Sequence, residues 1–87
     1  MLTVTPGAGV RLIRKLAHKG ATEDMAMRFT RRPAGWKLRL DHARPADTAI
    51  THNGRIVLLL DEAVSQAMAD MTLDVTDTKA GPRLALR

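Results

Sequence analysis

The stretch THNGRIVLLLD, Thr51 to Asp61, constrains the fold more than any other part of the chain. Asn53-Gly54 supplies two residues that tolerate positive φ, as the tightest hairpin turns require, so TAITH and RIVLLL pair as antiparallel neighbours. The second of these strands does not alternate. Every residue from Ile56 to Leu60 is apolar, the pattern of a strand covered on both faces. Such a strand belongs inside a sheet, so the rest of the chain must provide neighbours on either edge and elements above and below it.

Those neighbours are visible in the periodicity. MAMRFTR alternates, with Met25, Met27 and Phe29 on one side, and WKLRLDH repeats the pattern through Trp36, Leu38 and Leu40. The short RRPAG between them contains Pro and Gly and reads as a hairpin corner. Trp36 then turns toward the core, and Arg28, Lys37 and Arg39 lie on the outward face. ARPAD is a loop, and MTLDVTD and RLALR form two closing strands around a KAGP turn.

Two helices complete the pattern. LTVT is a short opening strand, and Thr5-Pro6 is an N-cap followed by a first-turn proline. In GAGVRLIRKLAHKG, Val10, Leu12, Ile13, Leu16 and Ala17 share one side, Arg11, Arg14, Lys15 and His18 the other, and Gly20 is the stop. Asp61 caps the shorter EAVSQAMAD, with Val64, Ala67 and Met68 as its stripe. The order predicts one α+β domain over residues 1–87, a compact sandwich of mainly antiparallel strands with two short helices. Hairpin-short connections make parallel crossovers unnecessary in this reading.

Composition bears mainly on what the chain can do. It has no Cys, so it supplies no disulfide, no thiolate nucleophile and no thiolate ligand for zinc or an iron-sulfur cluster. Phe29 and Trp36 are its only aromatic residues, too few for a base-stacking platform. No segment approaches the roughly 18 apolar residues of a membrane span, and the N-terminal sequence lacks a signal-peptide pattern, so the expected location is the cytoplasm. Charge is uneven: residues 1–45 hold ten Lys/Arg against three acids, and residues 46–87 hold four against six. That field favours anionic partners.

Individual candidates for chemistry read more simply as structure. GAG before a helix lacks the third glycine of a dinucleotide fingerprint, because Leu12 stands there. Gly7 and Gly9 leave first-turn amides open to an anion but equally suit an ordinary helix start. His18, His42 and His52 fall on three different elements and form no local metal spacing. Asp61 and Glu62 suit a helix cap, and Ser65 falls inside the helix without a nucleophile-elbow setting. No pair is arranged for acid-base catalysis, and the protein is read as a non-enzyme.

Taken in linear order, MLTVTPGAGVRLIRKLAHKG, MAMRF, LRLDHA, THNGRIVLLLDEAVSQAM and LDVTDTKAGPRLAL resemble the HesB/IscA family of iron-sulfur assembly proteins over nearly the whole chain. The shared points are a Thr-initiated helix, an M-R-F strand, NG-x-x-V leading to an Asp before a short helix, and Leu73-Asp74 in the following strand. The resemblance implies a HesB-like fold and a role in iron-sulfur metabolism. Members that handle clusters have a Gly-rich, Cys-containing loop where TRRPAGW stands here, and a Cys-Gly-Cys near the C-terminus. The chain is most similar to short, Cys-less HesB-like proteins of actinobacteria, so the iron-sulfur cluster implied by the family finds no Cys ligands and no cofactor is expected.

The leading functional reading is a non-catalytic HesB-like domain, an accessory or protein-interaction module. Its expected contact residues are Arg28, Arg31, Arg32, Lys37 and Arg39 on and around the basic hairpin, meeting a protein partner. The alternative is a basic module that binds nucleic acid or another anion, followed by a metal carrier using His and carboxylates. No membrane partner is expected, and the sequence leaves homo-oligomer formation open.

Overall fold

A computed structural model describes residues 1–87. The elements are β1 (Thr3–Val4), α1 (Pro6–His18), β2 (Met25–Arg32), β3 (Gly35–His42), β4 (Thr48–His52), β5 (Arg55–Leu60), α2 (Glu62–Ala67), β6 (Thr72–Thr78) and β7 (Gly81–Leu86). They form an α+β fold of two sheets, one ordered β1-β6-β7 and the other β3-β2-β5-β4.

The Asn53-Gly54 turn behaves as its chemistry requires. Both residues have positive φ, 52° and 78°, and His52 pairs with Arg55 across the turn. β5 lies between β2 and β4, with Val57, Leu58, Leu59 and Leu60 all at 0% exposure. The unbroken apolar run thus occupies an interior strand with both faces covered.

One expectation about connectivity fails. β2 pairs parallel with β5, and β1 pairs parallel with β6, alongside the antiparallel β2–β3, β4–β5 and β6–β7 hairpins. Short connections fix pairing within each hairpin and say nothing about how hairpins join. The strand with two apolar faces gains most from the central position, so the β4–β5 hairpin docks with β5 against β2.

α1 packs on both sheets, against β6 and β7 on one side and β2, β4 and β5 on the other. Its N-cap is Thr5, whose hydroxyl accepts from the Ala8 amide at 3.2 Å, and Pro6 opens the first turn. Its end is a Schellman motif: the Gly20 amide donates to the Ala17 carbonyl and the Ala21 amide to that of Leu16. The buried stripe is Ala8, Gly9, Leu12 and Leu16, so Val10, at 46% exposure, and Ala17 lie off it, contrary to the wheel reading. Ala8, Leu12 and Leu16 are four apart and form the row turned most directly to the sheets, with Gly9 beside it and Ile13 half-buried at its edge.

α2 is capped by Asp61, which accepts from the Val64 amide at 2.8 Å. Val64 and Met68 are buried, whereas Ala67 is exposed, because the helix ends at Ala67 and only one turn faces the core. A single apolar cluster joins Leu12, Leu16, Met27, Phe29, Leu58, Leu60, Val64, Met68 and Leu73, so both helices and both sheets share it.

Candidate functional site

The β2–β3 hairpin has two chemically distinct faces, set by its register. Arg28 lies opposite Arg39, Thr30 opposite Lys37, and Arg32 opposite Gly35, so these residues share the outward face. Phe29 lies opposite Leu38 and Arg31 opposite Trp36, so these share the inner one. The four arginines and one lysine expected to form one contact surface are therefore divided between two faces.

Arg28 requires a correction. It is on the outward face but only 4% exposed, because the loop of residues 43–47 folds over it. Its Nε donates to Asp41 at 2.9 Å, one terminal nitrogen donates to Asp47 at 2.8 Å, and the other reaches the His42 carbonyl at 3.2 Å. Asp47 also accepts from the Arg44 amide, which closes the loop on itself. Arg28 holds the Asp47 carboxyl below the usual carboxylate range, and Asp41 is lowered first by the His42 amide and then by Arg28. The Arg28 guanidinium is itself raised, chiefly by Asp47. Four of its five N–H donors are spent in tying the loop to the sheet. Alternation alone marks the residue as outward, and nothing in ARPAD signals that this loop covers it.

Arg32, Lys37 and Arg39 are exposed, and none takes part in an ion pair. β3 is an edge strand, so this cationic row faces solvent beside unpaired backbone. Arg31 is also exposed but sits at the corner over Trp36, its guanidinium carbon 5.4 Å from the ring centroid. Trp36 is half-buried against the core and meets Phe29 edge-on, with centroids 6.3 Å apart, in agreement with its inward assignment.

On the inner side lies a groove of about 570 Å³ between α1, the β3 edge and the β7 edge. Its apolar lining comes from Phe29, Trp36, Leu38, Leu73, Leu84 and Leu86. Its charged residues are Arg11 and Lys15 of α1 and Arg83 of β7, and no carboxylate lines it. The Arg11 Nε is shielded from solvent and has no hydrogen-bond partner. A neighbouring, wholly polar hollow shares Arg11 and Lys15 and adds Arg14, His18 and Lys19. The wheel reading does put these residues of α1 on one side, but nothing in linear order brings Arg83 to them.

The histidines stay apart. His42 Nδ1 is 3.0 Å from Asp24, both exposed, and Asp24 is held low first by the Thr22 hydroxyl and then by His42. His52 lies against Gly9 on α1. No three of His, Cys, Asp and Glu converge on a metal-sized site, and no helix is long and apolar enough to cross a membrane.

No family model and no curated protein matches the sequence significantly. Solved structures do match. SufA of Escherichia coli, described as involved in biosynthesis of iron-sulfur clusters, superposes with a TM-score of 0.72 at 20% identity, over 99% of this chain and 83% of SufA. IscA, solved with a [2Fe-2S] cluster, gives 0.65 at 14% identity, over 100% of this chain and 84% of IscA. The donors present here do not fit such a cluster: these 87 residues contain no Cys, and the hairpin corner consists of Arg31, Arg32, Pro33, Ala34 and Gly35. The chain has the fold of SufA and IscA, the fold that its resemblance to the HesB/IscA family implied.

Proposed function

We propose that residues 1–87 form one HesB-like domain that is not a catalyst and acts by binding an acidic partner protein through the outward face of the β2–β3 hairpin. The observation that carries this reading is the row of Arg32, Lys37 and Arg39, exposed and unpaired on an edge strand. Arg28, the remaining cation of that face, is held within the fold by Asp41 and Asp47. Long cations also blunt an edge strand against aggregation, but that task needs no particular partner and predicts no saturable binding. A non-catalytic role is supported by the carboxylates with displaced pKa values, Asp24, Asp41, Asp47 and Asp74. All are lowered by hydrogen bonds within a turn, cap or loop, so these carboxylates are engaged in local structure.

The likeness to SufA supports a partner drawn from iron-sulfur assembly in the cytoplasm, with this chain as an accessory. The test is affinity purification from the native host with the wild-type protein and with Arg32→Glu/Lys37→Glu, followed by mass spectrometry. A protein recovered with the first and lost with the second supports the reading. Equal recovery with both sinks it.

A further inference from the structure

We propose that the groove between α1, β3 and β7 is a binding site for a small amphipathic anion, a carboxylate carried on an unbranched apolar chain. This inference is independent of the hairpin surface, which lies on the opposite face of β3. A volume of about 570 Å³ falls in the range of small-molecule sites, which are mostly apolar with a few converging polar groups. Here the apolar part is deep: Leu73 and Phe29 are buried at 1% and 4% exposure, and the flanks of Leu38, Leu84 and Trp36 rise from them.

The polar part has one sign. Arg11, Lys15 and Arg83 have no carboxylate among the residues beside them in the groove, and none of the three forms an ion pair elsewhere. Like charges lining one groove repel, and a single anion among them offsets that repulsion. Arg11 is half-buried at the groove wall, so its charge is less screened by water than that of a fully exposed cation. An inorganic anion would satisfy the charge and leave the apolar lining wet. An uncharged or cationic amphiphile would fill the lining and leave the donors unpaired. Only an apolar chain ending in an anion meets both conditions, and a carboxylate suits the planar fork of Arg11.

Trp36 is the only tryptophan and lines the groove, so its emission reports occupancy directly. Titration of the full chain with decanoate, below its micelle concentration, is expected to shift that emission saturably. Arg11→Gln is expected to weaken the apparent affinity by roughly tenfold, the value of one charge-assisted hydrogen bond, and Arg11→Lys by less. Arg83→Gln, at an exposed position, provides a second variant that does not depend on how α1 tolerates substitution. Decylamine, acetate and inorganic phosphate are expected to give no saturable shift in the same range. Equal binding of decylamine would show unspecific apolar association and overturn the proposal. So would unchanged decanoate affinity in both variants, the absence of any saturable response, or a groove that responds to an acidic peptide and not to decanoate.

Discussion

The Thr5 hydroxyl donates a hydrogen bond of 2.9 Å to Asp74, sixty-nine positions further along the chain. The same oxygen accepts from the Ala8 amide and so caps α1, while Asp74 accepts from the Val75 amide at 2.8 Å and pairs with Arg87. The helix start is thereby locked to β6, the strand with which β1 pairs. The Leu73-Asp74 step divides its work: Leu73 enters the core at 1% exposure, and Asp74 orients the cap. Thr5→Val keeps the volume and removes both bonds, and it is expected to cost about 1–2 kcal/mol by thermal unfolding. Because the residues act together, Thr5→Val with Asp74→Asn should cost clearly less than the sum of the two single changes.

Arg28 and Arg39 are opposite each other in register and should differ sharply on substitution. Arg28→Met leaves the carboxylates of Asp41 and Asp47 without their shared partner under the 43–47 loop. The expected loss is about 3 kcal/mol or more by denaturant unfolding. Arg39→Met, at an exposed site without an ion pair, should stay within about 0.5 kcal/mol of wild type.

The same cluster sets an acid limit. The folded-state pKa of Asp47 lies below its unfolded value, principally through Arg28, so its contribution is fully present above the unfolded value near 4. It is lost as pH falls through the lower, folded value. Stability measured by denaturant midpoints should therefore decline below about pH 4 in the wild type. In Asp47→Asn it should be lower at neutral pH and fall less steeply on the acid side.

Gly9 admits the close approach of His52 to α1. A Cβ built at Gly9 would lie 2.4 Å from His52 Nδ1 and 2.6 Å from its Cγ. Alanine is the better helix former by about 1 kcal/mol, but overpacking at this contact costs about 1–3 kcal/mol. Gly9→Ala is expected to destabilise on balance, and Gly9→Ala/His52→Ala to recover stability. Thermal unfolding of the two proteins decides it.

Much of the fold is legible in local chemistry. Asn53-Gly54, the Thr5-Pro6 cap, Asp61 and the unbroken apolar run from Ile56 to Leu60 each act through near neighbours, and each appears where the sequence indicates. What periodicity does not convey is which elements meet. The parallel β2–β5 pairing depends on competition for a central position, and Arg28 is covered by a loop whose path is set by Asp47, nineteen residues away. The groove is of the same kind, since Arg11 and Arg83 come from opposite ends of the chain and become neighbours only when α1 packs on β7. Arg32, Lys37 and Arg39 are legible for the converse reason: alternation suffices where nothing folds over a face.

The most direct test of the hairpin surface is calorimetric titration of the co-purified partner into the wild-type protein and into Arg32→Glu/Lys37→Glu/Arg39→Glu, at low and physiological salt. The three residues are exposed and outside the core, so the variant should retain the wild-type unfolding midpoint to within a few degrees. Binding through this face requires affinity weakened by roughly tenfold or more at low salt, with the salt dependence of the wild type largely abolished. Equal affinities with equal salt dependence would contradict it.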